Sequence, residues 1–167
     1  MFDTISGLPV HPLVVHAAVV MGPLAALLLL LYVFRPAWRA GLRWPTVLTG
    51  AVAALSAAVA TASGEELQHR VDQAADAASR QLVEHHAEAG DLAAVSLYVL
   101  AGAIVAVVFY LIPPRAVEGR SKALASLGLV LSLGAVAFTG FAVVNAGHSG
   151  AKASWDDVVA TTTGGGG

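Results

Sequence analysis

Four apolar stretches, each long enough to cross a lipid bilayer as a helix, constrain this chain most strongly. They are residues 13–34, 47–63, 92–112 and 123–146. A helix needs about 20 apolar residues to cross the hydrocarbon core. Only 12% of the residues are charged, against about 25% in soluble domains. The sequence therefore predicts an all-α membrane protein: an up-down-up-down bundle of four transmembrane helices in a single domain of residues 1–160.

The basic residues are concentrated in two short connections. Residues 35–45 and 113–122 together hold six of the nine Lys and Arg residues. Basic residues in short loops stay on the cytoplasmic side of the membrane. We therefore predict a multi-pass protein of the plasma membrane, with the lipid bilayer as its surroundings and both termini on the extracytoplasmic side.

The segment between the second and third spans predicts a helical extension beyond the membrane. Residues 63–91 are rich in Ala, Glu, Gln and Arg and contain no proline, and these are good helix formers. We expect the second and third helices to continue outside the membrane as a hairpin that turns near Asp76–Ser79. The glycine-rich residues 161–167 are predicted to form a flexible tail.

The second span carries small residues at every fourth position, namely Gly50, Ala54, Ala58 and Ala62. Stripes of small residues let helix backbones approach closely within a membrane. The second helix is therefore predicted to form the inner seam of the bundle.

All six histidines fall at the predicted extracytoplasmic end of the bundle. They are His11, His16, His69, His85, His86 and His148. Neutral imidazole is a common ligand for haem iron, copper and zinc, and helix bundles build such sites from facing helices. With no cysteine in the chain, a metal site would have to use His, carboxylate or Met.

Among the histidines, His16 is the strongest candidate for a buried metal or haem ligand. It lies about 7 Å deeper along the first helix than His11, and an ionisable group at that depth indicates function. We predict His16 and His86 as the first ligand pair, with His11, His85 and His148 as alternatives or supporting groups. His11, which precedes Pro12, has the alternative role of capping the first helix.

An alternative prediction is a metal site without haem at the stem of the hairpin. His and carboxylate side chains would approach each other there and could take copper, zinc or iron without haem. These side chains are Glu65, His69, His85 and Glu88. A third interpretation is a membrane assembly subunit without a cofactor, in which the histidines only cap helices.

Four stretches resemble a known family. GLPVHPLVVH at the start, ATASGEE after the second span, VEHHAEAGD before the third and NAGHSGAKASW at the end are together similar to the bacterial four-helix membrane family labelled domain of unknown function 2231. The resemblance covers roughly residues 6 to 156. It implies haem- or metal-ligating histidines at positions 11 and 16, at 85 or 86, and at 148.

The leading functional prediction is a cytochrome b-like membrane protein that binds haem b near its extracytoplasmic face. Such a protein would transfer electrons or sense redox state with an extracytoplasmic partner or within a membrane complex. We expect no independent catalytic activity and no nucleic-acid contact, because the chain has no glycine-rich phosphate loop and no nucleophile motif. The sequence leaves the oligomeric state open.

Overall fold

Four long helices account for almost all of the structure, a computed structural model that describes residues 4–5, 8–74, 77–114 and 121–163. They are α1 (Val10–Phe34), α2 (Arg39–Ala74), α3 (Ala77–Val105) and α4 (Lys122–Thr163). A short antiparallel pair, β1 (Thr4–Ile5) and β2 (Leu8–Pro9), precedes α1. The predicted all-α membrane fold is confirmed.

Four segments of these helices are long and apolar enough to cross a membrane, as predicted. Their bounds are Val10–Phe34, Pro36–Glu66, Arg80–Leu111 and Lys122–Lys152. The helices α2 and α3 continue beyond the apolar spans, which confirms the predicted extension. Because α3 already begins at Ala77, the expected turn at Asp76–Ser79 is placed too late. Residues 75 and 76 lie outside the described part of the chain.

The last helix is longer than expected. The predicted fourth span ended at residue 146, but α4 runs for 42 residues to Thr163. The first three residues of the predicted flexible tail, 161–163, are therefore helical, whereas 164–167 lie outside the described residues. Threonine has a lower helix propensity than alanine but does not break a helix, so the three threonines continue α4.

The connection between α1 and α2 is tight. A 3₁₀ turn, Pro36–Trp38, joins the two helices. Arg39 Nε donates to the carbonyl of Tyr32 at 3.1 Å, and its Nη2 donates to that of Val33 at 3.0 Å. Because the last carbonyls of a helix have no partner within it, this arginine stabilises the end of α1.

The bundle packs as two hairpins. The most extensive contacts are between α1 and α2 and between α3 and α4, and α2 also packs on α3. A core cluster near the turn of the first hairpin includes the fully buried Tyr32, Leu100 and Ile104. The Tyr32 hydroxyl donates to the carbonyl of Ile112 at 2.6 Å, just beyond a π-helix (Ala106–Leu111) that continues α3.

The inner face of α2 differs from the predicted stripe. Ala53 and Ala57 are buried, whereas Ala58 and Ala62 are exposed. Four residues turn a helix by about 400°, so a stripe at every fourth position drifts away from a fixed neighbour. Only 17% of the α2 span is buried, against 44% of the α3 span. The predicted stripe therefore serves as a close contact at Gly50, where an added Cβ would lie 2.7 Å from Ile104, but not at Ala58 and Ala62.

Candidate functional site

The antiparallel helices bring all six histidines to one end of the bundle. This follows because α1 and α3 begin at the end where α2 and α4 finish. His11 and His86 are partly buried there. The other four histidines, His16, His69, His85 and His148, are exposed.

His11 is held by the following helix. Its Nδ1 lies 2.9 Å from the carbonyl oxygen of Ala60 and 3.3 Å from the hydroxyl of Ser63. A carbonyl oxygen can only accept a hydrogen bond, so Nδ1 must carry the proton. In the neutral ring, Nε2 is then left with a free lone pair.

His86 has the same arrangement on the second hairpin. Its Nδ1 lies 3.1 Å from the hydroxyl of Ser149, and this hydroxyl donates its own proton to the carbonyl of Ala146 at 3.0 Å. The His86 ring also hydrogen-bonds the backbone of Ala146, and a carbonyl can only accept, so we assign the Nδ1–H tautomer, with Ser149 as a second acceptor. The Nε2 of His86 is therefore also an unprotonated nitrogen.

The segments of α2 and α4 that contact the two histidines share the pattern A-x-x-S-G. They are ATASG at residues 60–64 and AGHSG at residues 146–150. A Cβ atom added at Gly64 would lie 3.0 Å from Cε1 of His11, and one at Gly150 would lie 2.9 Å from Cε1 of His86. Both rings therefore rest directly on a helix backbone, in places where only glycine leaves room.

The two rings lie at the same end of the bundle and interact electrostatically. Among the described residues, neither Nε2 has a hydrogen-bond partner. The site therefore holds two neighbouring imidazoles with fixed tautomers, each with a nitrogen lone pair free to bind an electrophile.

His16, the histidine preferred from its depth, lies on the other side of α1. Its side chain is exposed, and its Nδ1 bonds to the carbonyl of Pro12 in the same helix. Five residues turn a helix by about 500°, which leaves His11 and His16 about 140° apart. Because His11 faces α2, His16 faces outward. The geometry thus favours His11, and not His16, as the neighbour of His86.

The predicted mixed site at the hairpin stem is not assembled. Its four members are exposed side chains, namely Glu65, His69, His85 and Glu88. Among the described residues, a surface groove of about 450 Å³ is lined by Ala62, Glu65, Glu66, Gln68 and His69 of α2. Within the described part of the chain, no three His or carboxylate side chains converge to hold a metal ion.

Ser63 and Ser149 were not among the site residues predicted from the sequence. Both stand in stretches that carry the family resemblance, but the matching pattern A-x-x-S-G in ATASG and AGHSG was the signal that could have identified them. Such a repeat, 86 positions apart in the numbering, indicates two equivalent helix positions, each suited to receive a side chain from the helix before it.

Four membrane-length helices with a pair of histidines at one end define a four-span helical membrane protein. The chain belongs to the family described as "Predicted membrane protein (DUF2231)", whose match covers residues 7–163. This confirms the family resemblance. No match was found among curated proteins or among solved structures.

Proposed function

We propose that this membrane protein binds haem b through His11 and His86 and serves electron transfer or redox sensing. The observation that carries the proposal is the pair of fixed Nδ1–H tautomers. Histidines that bind a metal through one ring nitrogen usually donate the other N–H to a carbonyl, carboxylate or water. The contacts of His11 with Ala60 and of His86 with Ser149 supply that support before any ligand is bound.

The number of donors favours haem over a bare metal ion. Protein sites for zinc use three or four side-chain ligands, and no third His or carboxylate joins the pair within the described residues. Porphyrin brings four nitrogens of its own, so two imidazoles are enough to complete the coordination of iron. The donor set of His11 and His86 fits this requirement.

The position of the pair sets the direction of any electron exchange. Bound haem would supply one-electron chemistry, while α2 and α4 would orient the two imidazoles through their hydrogen bonds. Both histidines lie at one end of the bundle, which we predict to be extracytoplasmic. A redox partner on that side, or a neighbouring subunit of a membrane complex, would exchange electrons with the site.

An absorption spectrum of the full-length protein, purified in detergent after growth with a haem precursor, tests the proposal. We expect the reduced protein to show the split, red-shifted bands of bis-histidine haem. His11→Ala and His86→Ala should each lose these bands, and added imidazole should restore them in part. Matched controls are His16→Ala and His85→Ala, which remove an exposed ring close in sequence to each ligand.

Three results would contradict the proposal. The wild-type protein could contain no porphyrin after reconstitution with haem. It could instead hold a stoichiometric metal ion by elemental analysis, which would favour the non-haem alternative. Finally, His16→Ala could abolish the bands while His11→Ala, shown by circular dichroism to retain its helices, keeps them.

A further inference from the structure

Three arginines mark the end of the bundle opposite the histidines. Arg35, Arg39 and Arg43 follow one another at every fourth position where α1 passes into α2. No acidic residue occurs between positions 35 and 64, and in the part of the chain that the structure describes none of the three has a carboxylate partner. Among the described residues, this end of α2 therefore presents positive charge without an acidic partner.

Arg43 is the least satisfied of the three. Its guanidinium carbon lies 4.7 Å from the centre of the Phe109 ring and 5.3 Å from that of Trp44. Its Nε is buried and has no hydrogen-bond partner, whereas Arg39 donates to two carbonyls of α1. A buried donor without an acceptor destabilises the folded state, so a shift of the Arg43 side chain toward an acceptor outside the chain would be favoured.

The surroundings of Arg43 are those of a membrane interface. The side chains of Trp38, Trp44 and Tyr110 are exposed around this end, and Trp and Tyr collect at the level of the lipid headgroups. From Trp44, a line of exposed apolar residues continues along α2 into the span. These residues are Leu48, Val52, Leu55 and Val59. A lipid with its headgroup at Arg43 would have its acyl chains against this line.

We propose that Arg43 binds the phosphate of an anionic phospholipid. The planar guanidinium presents paired N–H donors that match phosphate oxygens, and clusters of basic residues beside a transmembrane helix attract anionic lipid. The apolar line on α2 favours a lipid over free phosphate, because free phosphate would gain nothing from it. This site is independent of the histidine pair.

Native mass spectrometry of the full-length protein tests the site. The protein is exchanged into detergent micelles that contain equal amounts of phosphatidylglycerol and phosphatidylcholine, and the lipids retained on it are counted. We expect the wild type to retain phosphatidylglycerol in preference to phosphatidylcholine. Arg43→Gln should reduce that preference about fivefold. The matched control is Lys152→Gln, which removes an exposed cation at the other end of the bundle and should leave the preference unchanged.

Specific results would overturn the proposal. These are equal retention of the two lipids by the wild type, an unchanged preference in Arg43→Gln, or loss of the preference when inorganic phosphate is added. If Arg43→Gln does not fold, Arg43→Lys replaces it, because lysine keeps the positive charge but lacks the paired N–H donors. A reduced preference in that variant supports the site, and an unchanged one rejects it.

Discussion

Ser63 of α2 and Ser149 of α4 occupy equivalent positions at the same end of the bundle. The Ser149 hydroxyl donates to the carbonyl of Ala146 at 3.0 Å, and the Ser63 hydroxyl lies 2.8 Å from the carbonyl of Val59 and 3.1 Å from that of Ala60. Each also lies within hydrogen-bond distance of Nδ1 of a histidine from the preceding helix. The two hairpins therefore fix two imidazoles in the same way.

Replacing these serines should affect the two histidines to a similar degree. In Ser149→Ala, His86 loses one hydrogen-bond partner but keeps the backbone of Ala146. In Ser63→Ala, His11 keeps the bond to the carbonyl of Ala60, so each replacement should destabilise the fold by about 0.5–1.5 kcal/mol. Thermal unfolding in detergent measures the stability, and nitrogen NMR of labelled imidazoles reports the tautomers.

The NMR comparison separates tautomer control from a general loss of packing. We expect each ring to keep its Nδ1–H tautomer when its own serine is replaced, because a backbone carbonyl remains as an acceptor. A mixture of tautomers in either variant would contradict the assigned hydrogen bonds.

Gly150→Ala should disturb the His86 ring. The added Cβ would lie 2.9 Å from Cε1 of His86, so the ring or the helix must shift, at a cost of about 1–3 kcal/mol. Gly147→Ala is the matched control, because no atom lies within 4 Å of the Cβ it would add to the same helix. Because alanine has a higher helix propensity than glycine, Gly147→Ala should leave α4 at least as stable as in the wild type. Equal unfolding temperatures for the two variants would show that the ring does not rest on Gly150.

The hydroxyl of Tyr32 should contribute measurably to stability. It is buried and donates to the carbonyl of Ile112 at 2.6 Å, so Tyr32→Phe leaves that carbonyl without this donor. We expect a loss of about 1–2 kcal/mol in the free energy of unfolding. Tyr98→Phe removes a hydroxyl from an exposed tyrosine and should change little. A similar loss in both variants would indicate a general effect of the hydroxyl groups.

The predicted orientation can be tested cleanly because the chain has no cysteine. Single cysteines at two exposed serines, Ser154→Cys and Ser121→Cys, would lie at opposite ends of α4. From the basic connections we expect a membrane-impermeant maleimide to label Ser154→Cys on intact cells and Ser121→Cys only after lysis. The reverse pattern would place the histidines on the cytoplasmic side.

The fold was predictable because it depends on features that add up along the chain. The apolar stretches set the number of spans, and the helix-forming residues 63–91 set the extension of α2 and α3. The boundaries were less predictable, since continued backbone hydrogen bonding carries α4 through threonines to Thr163.

The candidate site was predictable in its location but not in its members. The sequence shows that six histidines share one end, but the rotation of α1 decides which of its histidines faces α2. That rotation depends on the packing of whole helices, and depth along the helix favoured His16 instead of His11. The hydrogen bonds from Ser63 and Ser149 to the two histidines could be anticipated only by comparing the two A-x-x-S-G segments.

The likeness of the two hairpins bears on how such a site could arise in evolution. Each hairpin crosses the membrane twice, so a second copy fused after the first enters in the same direction, with its histidine at the same end. In this chain the halves are joined across residues 75 and 76, between Ala74 and Ala77. Duplication of one ancestral gene for a helix pair would thus produce two neighbouring histidines at once, without any inversion of topology.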